Sequence, residues 1–264
     1  MVYLMITWSI DPEIFSLGPI TVRWYGLLFA LSFVAGFQIM DKIFKRDKRT
    51  EDDLNDLVWY MIVGTIVGAR LGHCLFYNPV YYLSNPLELL AIWHGGLASH
   101  GAAIGILSAL YFYSKKKKES YFWIIDKVVI TVALAGFFIR LGNLFNSEII
   151  GIPTELPWSF TFTSVDNIPR HPAQLYESIA YLLVFFLLFY IDKNKFKTIK
   201  NGTLFSIFLI LVFGFRFFVE FIKEKQTYFE DGLALNMGQM LSIPLIIYGI
   251  ILFYQKVIKE KSLS

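Results

Sequence analysis

Seven separate stretches of this 264-residue chain are apolar over the length a membrane-spanning helix needs, and that repetition constrains the fold more than any other feature. They run roughly over 24–40, 57–77, 96–113, 121–142, 174–191, 202–222 and 235–255. A bilayer core offers no water to unpaired backbone groups, so each span has to close its own hydrogen bonds as a helix. The expected fold class is an all-α polytopic membrane protein with seven transmembrane helices, and residues 1–264 form one integral membrane domain. Composition agrees: 56% of the residues are hydrophobic, above the roughly 45–50% of soluble domains.

Orientation follows from where the cations fall. One set of loops and the tail hold Lys42, Lys45, Arg46, Lys48 and Arg49, then Lys115 to Lys118, then Lys193, Lys195, Lys197 and Lys200, then Lys256, Lys259 and Lys261. The other side holds only Arg23, Arg170, Lys223 and Lys225, so the N-terminus is expected outside and the C-terminus in the cytoplasm. On this reading Lys115–Lys118 is a topogenic run. Lys223 is an outer-loop lysine that arginine would replace with little effect. No lysine or arginine precedes Arg23, so the first span does not read as a cleaved signal peptide. The longest outer segment, 143–173, carries Pro153, Pro157, Pro169 and Pro172 and the β-prone run Trp158-Ser-Phe-Thr-Phe-Thr. It is expected to form a small outer head with a hairpin between the fourth and fifth spans. The shorter outer segments 78–95 and 223–234 are expected to lie in the membrane interface.

The net charge of +3 does not point to nucleic acid, because the lysines sit in short runs between apolar segments. One cysteine, Cys74, excludes a disulfide framework and a Cys-rich metal site, and is read as a small packed residue. The four histidines are too scattered for an HExxH-type site, and no glycine-rich phosphate loop occurs.

What remains are polar residues inside spans. A charge at the centre of a spanning helix costs about 2.5–3.5 kcal/mol on insertion scales, so such groups face a cavity or a partner. Arg140, Asn143, Asn146 and Glu148 end the fourth span, Arg216 and Glu220 lie in the outer part of the sixth, and Arg70 and His73 in the outer part of the second. Tyr25 begins the first span and His100 the third, among Gly95, Gly96, Gly101 and Gly105. At about 1.5 Å per helical residue they share one depth, which implies a common cavity open to the outside. Arg140 one turn from Asn143 stacks an anion-binding guanidinium with amide donors, an edge that suits phosphate. Each residue also has a plainer reading. Arg140 snorkels at a capped helix end, Arg216 pairs with Glu220 four residues on, Tyr25 joins an aromatic belt, and His100 bonds a loop. Asp126 and Lys127, at the inner end, serve topology or pairing. Arg70-Leu-Gly-His73 echoes Arg140-Leu-Gly-Asn143, which suggests two helices with an arginine and a close glycine contact at similar depth.

The stretch Arg140-Leu-Gly-Asn-Leu-Phe-Asn-Ser-Glu148-Ile-Ile-Gly151 resembles the signature of the bacterial prolipoprotein diacylglyceryl transferases. It departs at Ile139, where the signature has Gly, and at Leu144, where it has Phe. Arg23-Trp-Tyr25-Gly, Gly68-Ala-Arg70-Leu-Gly, Gly95-Gly-Leu-Ala-Ser-His100-Gly, Arg170-His-Pro-Ala-Gln-Leu-Tyr-Glu177 and Arg216-Phe-Phe-Val-Glu220 agree in order over nearly the whole length. The resemblance implies seven transmembrane helices with a periplasmic head in the bacterial inner membrane. It implies transfer of the diacylglyceryl group of phosphatidylglycerol, drawn from the membrane lipid, to the lipobox cysteine of preprolipoprotein signal peptides, with no cofactor and no metal. It also implies roles for Tyr25, His100, Arg140, Asn143, Glu148, Gly151, Arg216 and Glu220.

The reaction displaces glycerol phosphate by a thiolate, and needs an anion clamp and a base. Arg140 and Arg216 are the expected clamp, with Arg70 as a further phosphatidylglycerol contact, and His100 the expected base. Glu148 and Glu220 orient the arginines or bind glycerol hydroxyls, while Tyr25 and Asn143 supply hydrogen bonds; the residues leave these roles undivided. Two rival readings remain. A transporter or lipid-binding protein would use the same cavity but would need polar residues toward the inner side, which is nearly bare. An intramembrane protease would need a Ser/His or paired-Asp arrangement, and Asp126 stands alone.

Overall fold

The computed structural model describes residues 6–18, 20–76, 79–91, 96, 98–225 and 235–259. It is mostly helical. The long helices are α1 (Trp24–Arg46), α2 (Glu51–Phe76), α4 (Ser99–Lys117), α5 (Tyr121–Phe145), α6 (Ala173–Lys195) and α9 (Met237–Phe253), with a short α3 (Pro79–Ser84) between α2 and α4. Between α6 and α9 run α7 (Thr203–Phe208), a π-helical turn (Leu209–Phe213), α8 (Gly214–Val219) and a 3-10 turn (Glu220–Ile222).

Among the described residues, six helical runs are long and apolar enough to cross a membrane: Trp24–Arg46, Glu51–Phe76, Tyr121–Phe145, Ala173–Lys195, Thr203–Ile222 and Met237–Ile258. The expected third span is helix α4, of 19 residues, which opens on Ser99-His100 and closes on Lys115–Lys117 and so carries a smaller apolar share than the other six. Several helices outrun the apolar windows. Thr50 caps α2: its Oγ1 accepts from Asp53 N and its own N–H donates to the Asp53 carboxylate, both at 3.1 Å. Glu51, Asp52 and Asp53 then fill the first turn, where acidic groups suit the helix dipole.

The chain divides into two compact units, residues 1–39 with 126–264, and residues 40–125. In the second, α2 and α4 pack backbone against backbone. A Cβ at Gly68 would stand 2.4 Å from the Gly101 carbonyl oxygen, and one at Gly72 2.6 Å from Gly101 Cα. Gly64 meets Gly105 in the same way, so glycines every fourth residue on α2 face glycines every fourth residue on α4. Lysines of the Lys115–Lys118 run are engaged here: Lys117 pairs with Asp53 at 2.8 Å and Asp56 at 2.7 Å, and Lys116 with Asp56 at 3.2 Å.

In the first unit, segment 143–173 contains the expected hairpin. Strand β4 (Phe160–Phe162) pairs antiparallel with β5 (Pro169–Arg170), and the N-terminal strand β1 (Ile6–Trp8) adds to it in parallel, Ile6 opposite Phe160. A second hairpin, β2 (Glu13–Leu17) with β3 (Ile20–Arg23), leads into α1. Leu144, Ile150, Phe160 and Phe162 form a buried hydrophobic cluster beneath this sheet, with Trp8, Leu141 and Leu175 against it. Leu144, a departure from the family signature, is therefore a packing position that an apolar exchange preserves. At the far end of α5, Lys127 forms a buried ion pair with Asp192, and Asp126 accepts from the N–H groups of Gly202 and Phe205, each at 2.7 Å, at the start of α7. Both residues do the pairing expected of them.

Candidate phosphate-binding site

The polar end of α5 becomes a bonded cluster because the helix stops at Phe145 and the chain reverses. Ser147 and Ile149 take positive φ values of 53° and 56°, a backbone region unfavourable for a β-branched residue, and Glu148 between them is turned back toward the helix. Its carboxylate accepts from the Asn143 and Asn146 amides, both at 3.1 Å, and its N–H donates to the Asn143 carbonyl at 2.9 Å. Arg140 Nη1 donates to Asn143 Oδ1 at 3.4 Å. Arg140, Asn143, Asn146 and Glu148 are thus one continuous polar edge, as their spacing predicts. Tyr25 packs across the same helix: a Cβ on Gly142 would lie 2.8 Å from the tyrosine ring.

Gly151 has a steric reason to be glycine. A Cβ there would meet the His171 carbonyl oxygen at 2.6 Å and the Ile222 carbonyl oxygen at 2.8 Å. Its N–H bonds His171 O at 3.0 Å, its own carbonyl accepts from Arg170 Nη1 at 3.3 Å, and neighbouring backbone pairs join Ile150 to Glu224 and Ile152 to Ile222. This junction ties the turn carrying Glu148 to the segment that follows α8. Beside it, Arg170 lies against Asp166 at 2.6 Å and holds that carboxyl below the ordinary aspartate range, while burial lowers the pKa of His171.

The second arginine arrives through α8. The π-helical turn Leu209–Phe213 breaks the α register just before it, a distortion common near functional groups. Arg216 Nε lies 3.7 Å from Glu220 Oε1, so the expected pairing along the helix exists but is long. Glu220 is held more tightly by others: Lys223 Nζ at 2.8 Å, and Asn236 Nδ2 at 3.1 Å from its second oxygen. Asn236 also caps α9 in a capping box with Gln239.

Between the two arginines lies a residue that sequence reading quoted only as the end of a motif. Glu177 on α6 has no exposed surface. Its Oε2 sits 3.2 Å from Arg140 Nε, an ion-pair distance whose alignment falls short of a hydrogen bond. Its Oε1 accepts from Lys223 Nζ at 3.1 Å and from the Tyr181 hydroxyl at 3.3 Å. Lys223 therefore requires a correction: it is not an exposed loop lysine but 7% exposed, bridging Glu177 and Glu220. A chain of charges results, from Arg140 through Glu177, Lys223 and Glu220 to Arg216. The signal for it was present in Arg170-His-Pro-Ala-Gln-Leu-Tyr-Glu177, where an acidic residue enters an apolar helix.

Arg70 and His100 belong to the second unit. Arg70 is buried, and its guanidinium donates to the carbonyls of Leu89 at 3.1 Å and Gly96 at 3.4 Å and also to that of Glu88, while stacking over the Tyr82 ring at 5.1 Å. These bonds pin the segment between α2 and α4 to α2. His100 is exposed in the first turn of α4, beside Gly101, which packs on Gly68 and Gly72. Of the glycine-rich motif leading to it, Gly95 and Leu97 lie outside the described residues, as do 226–234 of the expected interfacial segment 223–234.

Residues 12–255 match the profile of a family described as prolipoprotein diacylglyceryl transferase. Three similar proteins bear the name phosphatidylglycerol–prolipoprotein diacylglyceryl transferase. That of Chloroherpeton thalassium is 52% identical over 96% of this chain and 94% of its own length. Those of Tolumonas auensis and Bacteroides fragilis are 45% and 43% identical over 98% and 96% of this chain, and 100% and 96% of their own lengths.

Proposed function

This chain belongs to the prolipoprotein diacylglyceryl transferase family, and from that premise we propose how its residues carry out the transfer. The chain is a transferase that moves the diacylglyceryl group of phosphatidylglycerol to a prolipoprotein. The acceptor is the thiol of the lipobox cysteine in the preprolipoprotein signal peptide. The sulfur attacks the lipid glyceryl carbon that bears the phosphate, a C–S bond forms as the C–O bond breaks, and glycerol phosphate leaves with the electron pair. The thiol proton passes to His100, since a free thiol near pKa 8.5 is only a few per cent thiolate at neutral pH.

Arg140 and Arg216 hold the phosphate and stabilise the charge that grows on it as the bond breaks. Asn143, Glu148 and Tyr25 line the head-group end, and Gly151 and Glu220 hold the framework around it. Helix α4 completes seven spans of the bacterial inner membrane, N-terminus outside, with residues 143–173 as a periplasmic head on one integral domain, 1–264. The observation that carries this reading is the run of alternating charges, buried at Glu177 and Lys223, with an arginine at each end, in a chain whose relatives are named for acting on a phospholipid. That run lies at the Glu148 end of α5, and among the described residues the charges at its other end, Asp126, Lys127 and Asp192, are taken up in local pairing.

The test incubates the purified protein with phosphatidylglycerol and a synthetic lipobox peptide, and measures peptide mass. The expected product is heavier by one diacylglyceryl group, and alkylating the peptide thiol first abolishes the gain. An unmodified peptide under conditions where the Chloroherpeton relative modifies it would reject the proposal.

A further inference from the structure

The proposed reaction uses two arginines but gives no task to Glu177 and Lys223 between them. Glu177 is fully buried and Lys223 nearly so, and a buried carboxylate or ammonium is too costly to persist without a partner. Their partners are each other and the carboxylate and guanidinium on either side: Lys223 Nζ is 3.1 Å from Glu177 and 2.8 Å from Glu220, and Arg140 Nε is 3.2 Å from Glu177. We propose that Glu177 and Lys223 are positioning residues that fasten Arg140 and Arg216 into a single phosphate clamp, an inference that rests on the function proposed above.

Two features carry it. The first is where the arginines are gripped. In both pairs the arginine atom facing the carboxylate is Nε: Arg140 toward Glu177 at 3.2 Å and Arg216 toward Glu220 at 3.7 Å. A guanidinium has five donors in one plane, and a carboxylate standing beside Nε, though in neither case hydrogen-bonded to it, biases where that plane lies and leaves terminal N–H groups, apart from the one Arg140 gives to Asn143, for a bidentate acceptor. The second is charge. Arg140, Arg216 and Lys223 are three cations and Glu177 and Glu220 two anions, so the ion-paired run carries one net positive charge, with the Glu148 carboxylate outside it on the Asn143 and Asn146 amides. Without the lysine, the two carboxylates would cancel the two arginines. The same ammonium sets the distance between the carboxylates and hence between the forks they hold, while Asn236 fixes Glu220 from α9 and Tyr181 holds Glu177 from its own helix.

Positioning is separable from packing by double-variant kinetics. Glu177→Gln should insert and fold in wild-type amount, yet lower kcat about 10²-fold, the loss expected of a misplaced clamp, with the KM for phosphatidylglycerol changed by no more than about threefold. In an Arg140→Lys background, where the fork is already gone, the same change should cost no more than about a further twofold in single-turnover assays. The charge-balanced pair Glu177→Gln with Lys223→Gln should be no faster than Glu177→Gln alone. Equal losses in the two backgrounds, or recovery in the charge-balanced pair, would overturn the proposal, since Glu177 would then serve only to neutralise a buried lysine. If Glu177→Gln fails to accumulate, Glu177→Asp, which keeps the charge but withdraws it by one methylene, is read against the same criteria. A wild-type protein without transferase activity rejects the proposed function and this inference together, whereas an active one with independent losses rejects the positioning role alone.

Discussion

At the scale of single residues, Arg140 and Arg216 differ from the chain's many lysines in geometry and not in charge. A clamp on phosphate uses the planar fork, and an ammonium cannot present two parallel donors to one phosphate. Arg140→Lys and Arg216→Lys are therefore expected to insert and fold but to lose most diacylglyceryl transfer at equal expression. Retained activity in both would mean that these arginines only snorkel or pair, roles in which a point charge suffices. Arg140, Asn143 and Glu148 were legible from sequence because polar residues interrupting an apolar run must have partners nearby. Lys223 was not. Counting charges by loop treats every lysine outside a span alike, and what buries this one is a carboxylate 46 residues away on another helix. Gly151 was legible as a motif position, but its reason, two carbonyl oxygens within 2.8 Å of a missing Cβ, exists only once three segments converge.

At the scale of elements, hydrophobic spacing located the helices but not how close they come. The α2–α4 crossing depends on backbone contact, since the atoms a Cβ on Gly68 would meet are the Gly101 carbonyl oxygen at 2.4 Å and Gly105 Cα at 2.7 Å. Backbone atoms cannot rotate away as a side chain can. Gly68→Val should separate the helices and destabilise the purified protein by more than the roughly 1–3 kcal/mol of ordinary overpacking, read as a sharp drop in melting temperature. Gly214→Ala, where an added Cβ has nothing within 4 Å, should leave it unchanged or raise it slightly. Equal behaviour of the two variants in a thermal scan would remove close packing as the reason for the α2–α4 glycines. The π-helical turn before Arg216 was invisible to periodicity, because one extra residue in a 20-residue apolar run changes no composition.

At the scale of the whole molecule, the charge asymmetry between loops makes a prediction the helices alone do not. Reporter fusions after Arg49, Lys118 and Lys200 should read cytoplasmic, and fusions near Asn85 and Asp166 periplasmic. A cytoplasmic signal at Asp166 would place the head, and with it Arg140 and Glu148, on the wrong side for an outer-leaflet lipid. By itself the sequence determined the class of fold, the helical runs and the polar positions among them. A membrane helix is a local object, in which length, apolarity and internal hydrogen bonding are all settled within some twenty residues. It also determined the family, whose motifs are short contiguous strings. Only the tertiary structure decided which charges neutralise one another. The addition of β1 to the head sheet joins residues 6–8 to 160–162, and the bridge through Glu177 and Lys223 joins α5, α6 and α8. Pairing energy falls off within a few ångströms and depends on burial, so it is set by which helices are neighbours in space, and spacing along the chain carries no record of that.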